Sequence, residues 1–437
     1  MPSTLVQRWL SRRSGLVFAM YAVFASFATY ASMYAFRKPF TAATFIGPDI
    51  FGIDYKTAMI IAQVIGYMIS KFIGIKIIAE MPPARRAQSI IGLVLIAELS
   101  LMAFWRVPAP WNVVFMFING LPLGMIWGLV FGYLEGRRFT EVLAAGLSAS
   151  FIVSSGFVKS IGKALMTSCQ VPESAMPAVT GALFFGPLVL FVWLLNQLPP
   201  PTATDERERT RRIPMRKEER RTFLLTFATG IVLLTLVYMG LTAYRDLRDS
   251  FAAEIWAEVG FGDQPMIFTS TEIPVAIIVL VLLGSLMAIR DNRKALMANH
   301  LVIAAGFALL GGSTAAFDSG LIGPVVWSIA AGTGLYMGYV PFNCILFDRL
   351  IAAYKHEANA GFLIYVADAF GYLASVGVLL IKNFLAVRIS WVTFFVDSGY
   401  VVAVFGLLLT VVSALYFGRS LGHEDDGPVA MPAMENV

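Results

Sequence analysis

The chain has 437 residues, of which 58% are hydrophobic and only 14% are charged, and its mean hydropathy is +0.73. A water-soluble domain carries about 25% charged residues because its surface must face water. The composition therefore excludes an ordinary soluble protein and predicts a bundle of apolar helices in a lipid bilayer. The net charge of +5 does not indicate nucleic-acid binding, because the basic residues lie in short segments between apolar runs and form no continuous face.

Apolar runs that are long enough to cross a bilayer, about 20 residues each, fall into two sets of six. The first set lies near residues 15–46, 58–79, 88–105, 111–134, 141–166 and 177–198. The second set lies near residues 222–246, 266–289, 295–316, 321–347, 358–382 and 391–418. We therefore expect four parts, namely a six-helix bundle at 1–198, a basic cytoplasmic linker at 199–221, a second bundle at 222–421 and a disordered cytoplasmic tail at 422–437.

The distribution of basic residues predicts the orientation. With both termini in the cytoplasm, the inner segments hold 21 Lys and Arg residues and the outer loops hold five, among them Lys56 and Arg248. Cytoplasmic loops carry the excess of Lys and Arg in membrane proteins. The sequence therefore predicts a multi-pass protein of a bacterial cytoplasmic (inner) membrane, with both termini in the cytoplasm.

The two halves resemble each other. The fourth predicted span reads GLPLGMIWGLVFGYLEGRR from Gly120, and the tenth reads GLYMGYVPFNCILFDRL from Gly334. Arg37 and Arg245 each lie 24 residues after another arginine, at an offset of 208 residues. Two parallel repeats predict an all-α membrane protein with the major facilitator fold, in which twelve transmembrane helices form two pseudo-symmetric six-helix bundles. In such folds the solute site lies between the halves, near the midplane.

Ionisable residues inside predicted spans are candidate functional groups, because inserting each one costs about 2.5–3.5 kcal/mol. A guanidinium offers paired donors that fit phosphate or carboxylate oxygens, so the matched Arg37 and Arg245 predict an anion clamp between the halves. The apolar run past Pro39 indicates that the first span continues outward and buries Arg37. The alternative is that the long Arg37 side chain snorkels to the membrane interface. For Lys38, the position at the interface is the preferred interpretation.

The other intramembrane charges allow more than one interpretation. Lys71 and Lys159 add positive charge to the expected cavity, so each must pair with an acid or lose its charge while the site is empty. Asp368 is either a proton site or the partner of a lysine, Asp246 is either functional or interfacial, and Glu98 is expected to pair with a neighbouring cation. The candidates for proton coupling or salt bridges are thus Glu98, Asp246, Glu272 and Asp368.

Aromatic residues accompany the first arginine. Tyr30 and Tyr34 lie seven and three residues before Arg37, on roughly the same face of a helix. A tyrosine hydroxyl can donate a hydrogen bond to an anion without adding charge. The alternative for both tyrosines is ordinary packing or an interfacial belt.

These residues occur in recognisable patterns. The first two spans hold Tyr-x-x-x-Tyr-x-x-Arg-Lys at Tyr30–Lys38 and Tyr-x-x-Ser-Lys-Phe-Ile at Tyr67–Ile73. The second half holds, in order, Arg245, Glu272 before an Ile-Pro pair, Tyr339-x-Pro, Ala-Gly-Phe at Ala360–Phe362, and Phe-Gly-Tyr-Leu at Phe370–Leu373. Across both halves, the chain resembles the organophosphate:phosphate antiporter family of the major facilitator superfamily, which includes glycerol-3-phosphate and hexose-phosphate transporters.

The resemblance implies a phosphate held between the two arginines, in a site lined by Lys71, Tyr67, Tyr339 and Tyr372. It also implies exchange of an organic phosphate for inorganic phosphate by rocking of the halves. The chain departs from the family pattern at three places. Ser155 stands near the family's fifth-span histidine, Thr242 stands at the seventh-span tyrosine, and Glu80 with Arg85 and Arg86 replaces an Asp-Arg motif. Lys159, one turn after Ser155, is expected to supply the missing cation.

The leading hypothesis is a secondary transporter of a small organic anion, such as an organic phosphate, that is exchanged for inorganic phosphate or coupled to protons. A proton-coupled exporter of a larger organic anion or drug and a transporter-like membrane sensor are the alternatives. No nucleophile–base set, phosphate-binding loop or metal-ligand spacing occurs, so we expect no enzyme activity, no cofactor and no metal. The expected partners are the solute and the lipid bilayer, with no nucleic acid, and the chain is expected to be a monomer.

Overall fold

The computed structural model describes residues 4–79, 81–137, 140–201, 205, 227–354, 360–385 and 389–423. The described residues of the first half form eight α-helices and one short 3-10 helix at Pro39–Ala42. The α-helices are α1 Leu5–Ser11, α2 Gly15–Tyr34, α3 Tyr55–Ala79, α4 Pro83–Arg106, α5 Val113–Leu123, α6 Ile126–Phe131, α7 Thr140–Ser168 and α8 Met176–Leu195. Most of the predicted linker and almost all of the predicted tail lie outside the described residues.

The second half continues the same pattern. Its helices are α9 Ala228–Ser250, α10 Ala252–Glu258, α11 Ile267–Ser270, α12 Glu272–Met287, α13 Asn292–Asp318, α14 Pro324–Cys344, α15 Leu346–Ala353, α16 Ala360–Phe384 and α17 Trp391–His423. Within the described residues, the β-structure is limited to an isolated bridge between Ile50 and Ile53. The expectation of an all-α protein is confirmed.

Eleven helical segments in the described part of the chain are long and apolar enough to cross a membrane. A twelfth span is obtained when α14 and α15, which meet at a bend of 53°, are counted together. The pairs α5–α6 and α11–α12 each form one span. Six spans fall in each half, in the order that the hydropathy pattern predicts.

The first span ends earlier than predicted. Helix α2 ends at Tyr34, whose carbonyl oxygen accepts hydrogen bonds from the backbone N–H groups of Arg37 and Lys38 at 3.0 and 2.9 Å. Pro39 has no N–H to continue the helix and instead begins the 3-10 helix. The expected continuation to Ile46 is therefore wrong. Arg37 and Lys38 nevertheless lie inside the protein, on a turn, with 5% and 6% of their surfaces exposed.

Glycines allow close approach between α3 and α5. A Cβ atom added to Gly120 would lie 2.2 Å from the carbonyl oxygen of Gln63, and one added to Gly66 would lie 2.3 Å from that of Phe117. Only glycine allows two helix backbones to approach so closely in a membrane. The Gly-x-x-x-Gly pattern of the fourth predicted span, at Gly120 and Gly124, thus serves packing inside the first half.

We predict that Gly120→Ala destabilises the protein by about 1–3 kcal/mol, because the new methyl group must push two helix backbones apart. Gly92→Ala is the matched control, since Gly92 also lies in a helix but has nothing within 4 Å of its added Cβ. Thermal unfolding of both detergent-purified variants tests the prediction. Equal unfolding temperatures for the two variants would contradict it.

Candidate functional site

A closed cavity lies between the two halves. Eight of its lining residues come from the first half and eight from the second. The lining residues are Tyr30, Tyr34, Arg37, Lys38, Tyr67, Lys71, Trp127, Phe151, Arg245, Asp246, Asp249, Tyr336, Tyr339, Asn343, Asp368 and Tyr372. The free volume of this central cavity is about 30 Å³, which is room for one or two water molecules. Any larger solute can enter only when the halves separate.

Ten of the thirteen site residues that the sequence predicts line the central cavity. They are Tyr30, Tyr34, Arg37, Tyr67, Lys71, Arg245, Asp246, Tyr339, Asp368 and Tyr372. Lys159 and Glu272 line a neighbouring cavity, and Glu98 lines neither of the two cavities. The turn after α2 and the helices α3, α9, α14 and α16 therefore bring most of the predicted residues into one place.

Three of the four basic residues in the central cavity have a carboxylate partner. Lys71 pairs with Asp368 at 3.0 Å and Lys38 pairs with Asp249 at 2.5 Å, and both pairs join the two halves. Arg245 pairs within its own half, with Asp246 at 2.7 Å. Lys38 is therefore a buried residue of the cavity, and its interpretation as an interface residue is wrong.

The acids of these pairs are held by further donors. The hydroxyl of Tyr238 donates to Asp368 at 2.5 Å, and that of Ser375 donates to Asp246 at 2.9 Å. A buried carboxylate that accepts several hydrogen bonds is stabilised in its charged form. These contacts fix the positions of both carboxylates in the cavity.

Arg37 is the fourth basic residue, and among the described residues it makes no ion pair. Its guanidinium carbon lies 3.8 Å from the centre of the Tyr67 ring and 6.0 Å from that of Tyr372, and its Nε atom has no hydrogen-bond partner. The guanidinium of Arg245 faces the same Tyr372 ring at 5.9 Å. Cation–π contacts stabilise a guanidinium but leave its N–H donors unused. Arg37 thus presents free donors inside a closed, aromatic cavity.

The neighbouring cavity lies mainly in the second half and shares Asp249 with the central one. Lys159 donates to the Asp249 carboxylate at 2.6 Å and to its backbone oxygen at 2.8 Å, and the hydroxyl of Ser155 also donates to this carboxylate. Arg248 pairs with Glu272 at 2.6 Å. Of the two alternatives given for Lys71 and Lys159, pairing with an acid or loss of charge, the structure has the first, with Asp368 and Asp249 as the partners.

Sequence reasoning missed the burial or the role of several charged residues. Arg248 was placed in an outer loop, but it is buried in α9, and Lys56 is likewise buried in α3. Asp249 was not singled out at all. The missed signal is the spacing in YRDLRD, where two Arg–Asp pairs stand three residues apart, so that both pairs face the same side of a helix.

Glu98 does not have the cation partner that the sequence predicts. It is buried in α4 with 3% of its surface exposed, and neither carboxylate oxygen has a partner among the described residues. The carboxylate packs against the backbone of Gly181, where an added Cβ would lie 2.0 Å from Oε2 and 3.0 Å from the Phe36 ring. Its surroundings are therefore apolar.

Contacts between the halves close both ends of the central cavity. At the end that carries Pro39, Lys56 pairs with Glu254 at 2.5 Å, and the hydroxyl oxygens of Ser160 and Thr269 lie 2.6 Å apart. Burial raises the pKa of Glu254, and the Lys56 ammonium opposes this rise. At the opposite end, which we call the linker end, Arg349 pairs with Glu141 at 3.0 Å. The structure is thus an occluded conformation.

One family model matches most of the chain. A family model described as "Family of unknown function (DUF5690)" matches residues 39–420. The chain belongs to this family. No curated protein matches the sequence of this DUF5690 member.

Solved structures of similar shape are membrane transporters. A D-xylose–proton symporter has a TM-score of 0.59 at 16% identity and covers 92% of this chain and 96% of its own. A mutant of the nucleoside transporter NupG has a TM-score of 0.59 at 13% identity, with coverage of 92% and 99%. The proton:xylose symporter XylE bound to 6-bromo-6-deoxy-D-glucose reaches 0.64 at 14% identity, with coverage of 93% and 97%.

The DUF5690 chain therefore has the major facilitator fold, as the repeat pattern predicts. The similar structures are named as two symporters and a nucleoside transporter. A major facilitator fold consists of two halves that enclose a site between them. The central cavity lies at this position.

We predict that Ser160→Cys with Thr269→Cys forms a disulfide between the halves under mild oxidation, because the two hydroxyl oxygens are in contact. The background carries Cys169→Ser and Cys344→Ala, which removes both native cysteines. Ser160→Cys with Thr271→Cys is the control, since the Thr271 hydroxyl bonds to Ile267 within its own segment. Gel mobility after proteolysis between the halves reports the cross-link. If both cysteine pairs cross-linked equally, the conclusion that the halves are closed at the Pro39 end would be wrong.

Proposed function

We propose that this protein is a secondary transporter of a small organic anion, which binds in the central cavity between the halves. The observation that carries the proposal is Arg37, a buried guanidinium without a carboxylate partner among the described residues. An unpaired charge in a low-dielectric interior is unfavourable, so such a group is best explained by an anion that it binds. Arg245 faces the same aromatic ring and supplies the second guanidinium of the clamp.

The balance of charge supports a phosphate over a simple carboxylate. The two adjoining cavities together hold six basic residues, namely Arg37, Lys38, Lys71, Lys159, Arg245 and Arg248. They hold four acids, Asp246, Asp249, Glu272 and Asp368. When all are ionised, two positive charges are in excess. A phosphate monoester carries a charge of about −1.5 to −2 at pH 7 and would neutralise this excess.

The size of the cavity supports a mechanism of alternating access. With room for one or two water molecules, the occluded site must open to load a solute and open again to release it. The similar structures are named as a D-xylose–proton symporter and as a nucleoside transporter, which supports a transport cycle here. We place the linker end in the cytoplasm of a bacterial inner membrane, as the distribution of basic residues predicts.

We predict that Arg37→Lys and Arg245→Lys each reduce transport at least a hundredfold without reducing expression, because lysine keeps the charge but loses the two-pronged donor geometry. The measurement is counterflow of labelled phosphate in proteoliposomes against a panel of organic phosphates and dicarboxylates. Arg106→Lys is the matched control, since Arg106 is exposed at the end of α4.

Three results would contradict this proposal. Wild-type transport by both cavity variants would exclude the clamp. Stabilisation of the purified protein by lipophilic cations alone, retained in Arg37→Ala, would favour the drug-exporter hypothesis. Tight phosphate binding without any counterflow would instead favour the sensor hypothesis.

Coupling to protons is a second candidate for the energy source, and Glu98 favours it. Burial without hydrogen-bond partners disfavours an ionised carboxylate, so it favours a proton on Glu98 in the occluded conformation. Release of this proton requires a conformation in which water or a cation reaches the carboxylate. Glu98 therefore has the property that a proton-coupling residue needs.

We predict that Glu98→Gln preserves phosphate binding but loses the acceleration of uptake by an imposed proton gradient, because glutamine mimics the protonated acid. Uptake of labelled phosphate into proteoliposomes, with and without a pH difference, is the measurement. Glu173→Gln, at an exposed loop position, is the control. An unchanged response of Glu98→Gln to the gradient would exclude this residue from coupling.

A further inference from the structure

The turn that carries Arg37 is held by side chains from two other helices. Because α2 ends at Tyr34, the carbonyl groups of Phe36 and Arg37 have no partner in a continuing helix. The side-chain amide of Asn119 on α5 donates to the Phe36 oxygen at 3.0 Å. The side-chain amide of Gln63 on α3 donates to the Arg37 oxygen at 3.1 Å. Both free carbonyl groups of the turn are thereby satisfied.

The two amides also hold each other. Gln63 Nε2 donates to Asn119 Oδ1 at 2.8 Å, and Asn119 Nδ2 donates a second hydrogen bond to the Ala97 oxygen on α4 at 3.1 Å. Asn119 has no exposed surface and Gln63 has 3% exposed. Every amide hydrogen of this network has an acceptor, so the network has a single low-energy arrangement.

The glycine contacts explain why the amides meet. Gly120 follows Asn119 directly, and its contact with the Gln63 carbonyl brings the backbones of α3 and α5 together at this level. A larger residue at position 120 would separate the helices and with them the two amides. The Gly-x-x-x-Gly pattern thus has a consequence for the cavity as well as for packing.

We propose that Gln63 and Asn119 are positioning residues that fix the aim of the Arg37 guanidinium, and so set the affinity of the site for a phosphate group. This inference rests on the proposed function. Neither amide lines the central cavity, so neither touches the solute in the occluded conformation. They act through the peptide groups on both sides of the Arg37 Cα atom. A shift of this turn by about 1 Å would move the guanidinium donors out of bidentate geometry.

The experiment measures the Kd of inorganic phosphate by calorimetry on the full-length, detergent-purified protein. We expect Asn119→Leu and Gln63→Leu each to raise the Kd at least tenfold. Asn112→Leu is the matched control, because Asn112 is a buried residue at the start of α5 that accepts a hydrogen bond from Tyr55 of α3 at 2.7 Å. It joins the same two helices about two turns before Asn119. Its loss should lower the unfolding temperature but change the Kd less than threefold.

A double-mutant cycle separates positioning from a general loss of structure. In an Arg37→Lys background, Asn119→Leu should raise the Kd less than twofold further, because the group it positions is already gone. An unchanged Kd in both leucine variants, equal losses in Asn119→Leu and Asn112→Leu, or fully additive effects in the cycle would each overturn the inference. An unchanged phosphate Kd in Arg37→Ala would instead overturn the proposed function, and the inference with it.

Discussion

The need to compensate buried charge governs the centre of this protein. Inside a membrane-spanning bundle, a charged side chain is stable only beside an opposite charge, a set of hydrogen-bond partners or water. Lys38, Lys71 and Arg245 meet this requirement by ion pairs with aspartates, whereas Arg37 makes no ion pair among the described residues and lies against aromatic rings. The protein therefore supplies most, but not all, of the compensation that its own cavity requires. The positive charge that the protein leaves without an ion-pair partner is the physical basis for expecting an anion.

The charges are divided unequally between the halves. Among the charged residues that line the two cavities, those from the first half are all basic, namely Arg37, Lys38, Lys71 and Lys159. The second half contributes all four acids together with Arg245 and Arg248. Attraction between a basic face and a more acidic face favours the closed arrangement in the empty protein. The closed state is thus held by the same residues that form the site.

Much of this arrangement could be predicted from the sequence, because its strongest signals are local. Hydropathy gave the twelve spans and their order, and the matched arginines indicated one cavity between two repeats. The break at Tyr34 was missed because the chain past Pro39 is still apolar, and hydropathy cannot distinguish a buried turn from a buried helix. Pro39 itself was the available signal for the break.

Pairings between distant segments could not be predicted in the same way. Lys38 and Asp249 are far apart in sequence, and their contact depends on how α9 packs against the turn after α2. The sequence predicts Arg248 in an outer loop just after a span, where a charge is ordinary, so its burial beside Glu272 became evident only in the folded chain. The prediction of a cation beside Glu98 was wrong for a similar reason. The sequence cannot show which helix faces α4 at that depth, and among the described residues no cation pairs with Glu98.

The two arginines are anchored differently from the lysines, and this difference matters for a protein whose halves must separate. Arg245 is bound to Asp246 of its own half, and the Arg37 turn is bound to Gln63 and Asn119 of its own half. Lys38 and Lys71, in contrast, are bound to acids of the opposite half. When the halves part, the lysine pairs must break, but each arginine keeps the contacts that orient it. In the proposed transport cycle, each half would therefore keep one oriented arginine, and a solute bound to one arginine would meet the other already oriented as the halves close again.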